Sequence, residues 1–153
     1  MAFAGDVVSV CAEIGVTPIL TASLAVFAYT QDPDMEVHDI DLSCSETDFP
    51  RLQRMMEEHD IDCAITNWHV LQTRRGDLKI EFDASEHWMK GIPDHYEIAR
   101  IAGVQFHVVT EDGLRELYLR GFVDTAGRTD ETNQIKHRDI RQKLIALRAP
   151  RLS

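Results

Sequence analysis

The sequence predicts a single α+β domain, a mixed β-sheet with helices packed on it. Three observations carry that prediction. At 153 residues the chain is long enough for one domain that buries a core without staples. Its 44% hydrophobic and 27% charged residues are ordinary for a globular protein. Apolar periodicity then alternates between helix and strand in the first third, turns strand-like in the middle, and ends helical. No internal repeat, low-complexity stretch or long linker divides it, so residues 1–153 read as one unit. Its core is expected over about 15–110 and a helical part over about 111–148.

The elements follow in order. Residues 3–15 place Val7, Val10, Cys11 and Ile14 at helical spacing. "TPIL" is short and apolar, a buried strand. "SLAVFAYT" follows as a short helix with Ser23 near its start, and "QDPDME" is a turn by its Pro and Asp content. "EVHDIDLSC" reads as a strand over 36–44. Ser45 looks like an N-cap for a helix over 46–58, whose Phe49, Leu52, Met55 and Met56 share a face. "DCAITNW", "HVLQTR" and "LKIEFDA" are strands, with "RRGD" as the turn between the last two. "HYEIARIAGVQFHVV" reads as two strands joined through "AG". Leu114, Leu117, Tyr118 and Phe122 mark a helix. "VDTAGRTDETN" is polar and expected to be mobile, and Ile140, Leu144 and Leu147 mark a last helix.

Charge and composition exclude some functions. A net charge of −10 argues against non-specific duplex DNA binding, which needs a basic face. It does not exclude a small nucleotide, because a metal bridges acids to phosphates. No apolar run nears the roughly 20 residues that span a bilayer. The N-terminal stretch lacks a basic signal-peptide start and carries Asp6 and Glu13. The chain therefore reads as cytoplasmic, without a membrane partner. Cys11, Cys44 and Cys63 have no metal-like spacing and read as reduced, buried thiols.

The pair Asp39 and Asp41 is the main chemical signal. Residues i and i+2 of a strand face one way, so both acids share a side, with Ile40 and Leu42 on the other. Two like charges at this range repel, and burial makes ionisation costlier. Open solvent at a strand end is one remedy and a divalent cation is another. Mg²⁺, or Mn²⁺, takes hard oxygen ligands and commonly joins carboxylates to substrate phosphates. "LKIEFDAS" adds Glu81 and Asp83, again i and i+2. If that strand lies beside the first, one of its acids completes a three-carboxylate cluster able to hold two ions.

The order of parts resembles the nucleotidyltransferase superfamily typified by DNA polymerase beta. A short apolar strand leads into the small pair Ala22-Ser23 at a helix start. An Asp-x-Asp strand, an amphipathic helix and an acid-bearing strand follow. Within that superfamily "TASLAVFAYT", "VHDIDLSC" and "LKIEFDA" look most like small bacterial minimal and abortive-infection-type enzymes. "VQFHVVTEDGLRELYL" and "KHRDIRQKLIAL" resemble their C-terminal region, so the likeness runs over about residues 15–147.

The resemblance implies the nucleotidyltransferase fold and Mg²⁺-dependent transfer of a nucleoside monophosphate from ATP or another triphosphate to a hydroxyl. The acceptor would be a protein, an RNA or a small molecule, in a toxin–antitoxin or defence setting. It further implies that Asp39 and Asp41 are metal ligands and Glu81 the third carboxylate, with Asp83 the alternate. Ser23, beside Ala22, would bind phosphate, aided by free N–H groups at the helix start. Lys79 would reach a phosphate, and Lys136 and Asp139 match a basic and acidic pair of the last helix.

Two departures stand out. Ala22 occupies a usual Gly position, where a Cβ disfavours positive φ. The stretch from Ser23 to Asp39 is also long, with "TQDPDM" as an inserted loop. The rival reading keeps the fold but makes the acids residual, leaving a binding module or homo-oligomer with a cognate protein partner.

Other residues carry weaker signals. The seven histidines lack zinc-site spacing. His38 falls opposite the two acids and is expected to be packed. Cys44 has no base in sequence and reads as buried. Trp68 and Trp88 could stack a base, although core or partner-surface packing is the commoner use of Trp.

Overall fold

The protein is described from a computed structural model, which covers residues 1–148. Its strands form one seven-stranded sheet in the order β3-β4-β5-β2-β1-β7-β6. β1 (Ile19–Thr21) runs antiparallel to β2 (Ile40–Cys44) and parallel to β7 (Val104–Val109). β2 runs parallel to β5 (Leu78–Ala84), and β4 (Val70–Arg75) joins β5 and β3 (Asp62–Thr66) antiparallel. β6 (Tyr96–Ile101) closes the other end beside β7. The sheet is mixed, as the sequence predicts.

Strand alternation sorts the sheet into an apolar and a polar face. Ile80, Phe82 and Ala84 of β5 are buried while Lys79, Glu81 and Asp83 between them are only partly covered. Leu42 and Cys44 of β2 follow the same parity. These side chains share one core with Val7, Val10 and Cys11 of α1 (Ala2–Glu13) and Phe49, Leu52 and Met56 of α3 (Phe49–Glu58). α2 (Ala22–Thr30) leaves β1 directly, α4 (Ser85–Trp88) leaves β5 directly, and α5 (Glu111–Thr125) and α6 (Glu131–Arg148) form a helical pair that reaches α2.

Turn chemistry sets the hairpin registers. Gly76 at φ +60 turns β4 into β5, where Arg75 pairs with Leu78. Ala102 and Gly103, both left-handed, turn β6 into β7. Thr110 caps α5, its side chain accepting from the Gly113 N–H at 3.1 Å.

Several expectations need correction. The strand predicted over 36–44 begins only at Ile40, because β1 and β5 offer no partners to 36–39. His38 is therefore not packed; it lies in the preceding loop, 81% exposed, paired with Glu36 at 3.2 Å. Ser45 precedes a 3₁₀ turn, Glu46–Asp48, and makes no backbone cap. Its hydroxyl instead bonds that of Thr47 at 2.9 Å. In the polar stretch 123–133, α5 runs to Thr125 and α6 starts at Glu131, so only residues 126–130 lie between helices. The Thr125 hydroxyl and His137 Nδ1, 2.7 Å apart, tie the two together. Cys63 is only half-buried, unlike Cys11 and Cys44.

The core carries the stability. Phe82→Ala removes a fully buried ring beneath the acid-bearing face and is expected to cost about 3–5 kcal/mol in urea unfolding. Leu78→Ala, 55% exposed on the same strand, should stay within about 0.5 kcal/mol.

Candidate active site

Registers bring the acids together. Thr21 pairs with Asp41, and Asp41 with Glu81, so three neighbouring strands place these residues in one row. Ser43 and Asp83 form the next row, the Ser43 hydroxyl donating to the Asp83 carbonyl at 3.2 Å. Asp39 sits just before β2, half-exposed. Lys79 binds this group together: its ammonium lies 2.8 Å from Glu81 and 3.8 Å from Asp39. The bond to Glu81 raises its pKa. Gln72, opposite Glu81 on β4, adds an amide at 3.3 Å. Lys79 is thus engaged by carboxylates rather than turned to a phosphate site.

Desolvation dominates the electrostatics. Burial, then Glu81 and Asp39, pushes the Asp41 carboxyl up to about 6. Burial, then Asp41 and Glu81, pushes Asp83 up to about 7. Both acids are less willing to ionise here than in an unfolded chain. Burial likewise pushes the Cys11 thiol up to about 12 and raises that of Cys44, so neither is a nucleophile at neutral pH. Among the described residues no three carboxylate, imidazole or thiolate groups stand close enough, as the side chains lie, to hold a metal ion. The donor chemistry nonetheless suits a hard divalent cation. Asp41, Asp39 and Glu81 carry hard carboxylate oxygens whose mutual repulsion a positive charge would relieve.

The start of α2 lies beside these rows. Thr21 is buried at the end of β1, its hydroxyl donating to the Asp41 carbonyl at 3.4 Å. Ala22 then turns into the helix at φ +58, in the left-handed region that its Cβ disfavours. Ser23 follows and lines a cavity with Tyr118 of α5. Two cavities meet at Ser23, of about 600 and 530 Å³. Asp39 and Asp41 line the first; Ala22, Asp83 and Lys136 line the second; Ser23, Asp139 and Lys143 line both. Glu81 and Lys79 line neither.

Some residues at this junction carry no signal in a motif reading. Lys143 holds Asp139 at 2.6 Å, lies 6.0 Å from the Tyr118 ring centre, and lowers the Asp41 pKa by its charge. Its i+4 spacing from Asp139 was the available clue. Asp32 and Asp34 of the inserted loop, and Glu36 just after it, line the first cavity.

No family model and no curated protein sequence matches the chain. Solved structures do. The antibiotic-resistance factor ANT(2'')-Ia is 13% identical with a TM-score of 0.65, over 96% of this chain and 88% of that one. Another structure of that protein holds adenylyl-2''-tobramycin. An antigenic nucleotidyltransferase-like protein of Paracoccidioides brasiliensis gives 13% and 0.66, over 95% and 73%. A nucleotidyltransferase of Thermotoga maritima, itself of assigned rather than established activity, gives 16% and 0.58, over 96% and 92%. At these identities the likeness is one of fold, and the chain has the nucleotidyltransferase fold.

The raised carboxyl pKa values set a pH dependence. A raised acid stabilises the folded state while it is protonated, and that contribution is lost as pH climbs through the folded value. Without divalent cation, stability should fall between about pH 4 and pH 7, by on the order of 2–4 kcal/mol after solvent screening. Asp83→Asn should flatten that slope in denaturant titrations across pH. Ala22→Gly should raise stability by about 1 kcal/mol by relieving the left-handed Ala. A loss of similar size would instead be the mark of an ordinary helical site.

Proposed function

We propose that the chain is a nucleotidyltransferase that binds a nucleoside triphosphate with Mg²⁺ or Mn²⁺ and passes the monophosphate to a hydroxyl, releasing pyrophosphate. The observation that carries this reading is the row of Asp41 and Glu81 on adjacent parallel strands, with Asp39 joined to Glu81 through Lys79, beside the start of α2. Asp39, Asp41 and Glu81 hold the metal. Asp83, one row on, is the alternate third ligand. A bound ion supplies neutralisation of the triphosphate and a lower pKa for the attacking hydroxyl. Ser23 and the free N–H groups of α2 receive phosphate oxygens. Lys143, from the lining of both cavities, meets the same charge. Lys136 supports it from the second cavity alone.

The acceptor reading follows from charge. The first cavity is rimmed by Asp32, Asp34, Glu36, Asp39, Asp41 and Asp139 against Lys143. That wall repels an RNA backbone and favours a small hydroxylated molecule, a class to which the adenylyl-2''-tobramycin held by ANT(2'')-Ia belongs. A toxin–antitoxin or defence setting rests on sequence resemblance alone. The left-handed Ala22 favours a second reading, a degenerate site on a binding module or oligomer. No helix among the described residues is long and apolar enough to cross a membrane.

Asp41→Asn tests the reading, with labelled triphosphates, Mg²⁺ and candidate hydroxyl acceptors. Transfer should fall at least about 10³-fold, or about 4 kcal/mol of transition-state stabilisation, while the melting temperature holds or rises because one repelling charge is gone. Undiminished transfer sinks the mechanism. Wild-type protein at a hundred times the dissociation constant of its triphosphate should gain about 2.7 kcal/mol of stability. No gain with any triphosphate favours the binding module.

A further inference from the structure

The second cavity has a wall unlike that of the first. Arg120, Lys136 and Lys143 line it beside Asp83, Asp124 and Asp139, so the charges are balanced, and His87, Trp88 and Leu117 supply an aromatic and apolar surface. Neither tryptophan is in the core: Trp68 is 77% exposed and Trp88 is 48% exposed. Of the core or partner-surface packing expected, the core half therefore fails for both. Trp88 is instead a large ring left open on a cavity lining.

That ring is braced. His87 packs edge-on against Trp88, with ring centres 4.8 Å apart, and stacks on His69 at 4.7 Å. His69 sits at the tip of the β3–β4 hairpin at φ +60, a conformation costly for a side chain other than glycine. It is held there by the Ala84 N–H donating to its carbonyl at 3.0 Å and by Glu46 at 2.8 Å from its ring. The surroundings fix the aromatic row rather than let it collapse.

We propose that the nucleoside of the triphosphate lies in this second cavity with its base stacked on Trp88, and that this contact sets nucleotide affinity. The inference rests on the nucleotidyltransferase reading and adds to it the side from which the nucleotide enters. A ligand suited to this lining needs both a flat apolar ring and an anionic tail, and a nucleotide has both. No Trp, Tyr or Phe lines the first cavity, so a base has no such ring to stack on there. With Ser23 at the junction, the tail reaches the start of α2 from the second cavity while the acceptor occupies the first.

The chain has two tryptophans, so Trp68→Phe leaves Trp88 as the sole indole fluorophore. That protein is titrated with ATP, GTP, CTP and UTP, and with inorganic tripolyphosphate, all with Mg²⁺, and binding is followed in parallel by thermal melting. At least one nucleotide should quench Trp88 saturably, and tripolyphosphate should bind without quenching. Trp88→Ala should weaken the nucleotide about 5- to 150-fold and leave tripolyphosphate unchanged, while Trp88→Phe recovers most of the loss. A flat Trp88 signal on nucleotide binding, or unchanged affinity in Trp88→Ala, overturns the stacking and leaves the transfer reading standing. No binding of either nucleotide or tripolyphosphate removes both.

Discussion

Packing Leu42 and Phe82 into the core forces Asp41 and Glu81 onto the opposite face of the sheet. The two apolar residues pair directly across β2 and β5, and the acids one position earlier pair directly too. A one-residue slip would bury the carboxylates and expose the core. The register that stabilises the fold is thus the register that concentrates negative charge, and the site cannot be relaxed without loosening the sheet.

The molecule answers that charge with cations drawn from distant parts of the chain. Lys79 bridges Glu81 and Asp39 from within the sheet. Lys143 comes from the last helix and is itself paired with Asp139. Neither fully offsets the cost, since Asp41 and Asp83 keep raised pKa values. Two desolvated carboxyls poised near neutrality are a standing destabilisation. Sites that retain such groups commonly use them, which is the physical argument for a cation-binding role over an inert polar face.

The sheet was largely legible because its signals are local. The alternation in "LKIEFDA", the glycine turn after Arg75 and the apolar "PIL" each follow from near neighbours in sequence. The errors lie where partners are remote. "EVH" has strand-like residues but no strand to pair with, so β2 starts late and His38 is exposed. Lys79 shares a face with Glu81 as expected, yet which anion it meets depends on the folded position of Asp39. Lys143 and Tyr118 reach the site only because α5 and α6 fold back on α2. Trp88 has no sequence signal separating a core ring from an open one.

This dependence on α5 and α6 constrains how the site forms. The sheet supplies acids from residues 39–83, but Tyr118, Asp139 and Lys143 arrive from the C-terminal helical pair. The pair is anchored to α2, the helix whose first turn carries Ala22 and Ser23. Movement of the pair would therefore shift the first turn of α2 and the shared wall of both cavities together. Leu114 of α5 and Leu147 of α6 share the core with Leu24, Ala25 and Val26 of α2, which joins the two halves near the point where the cavities meet.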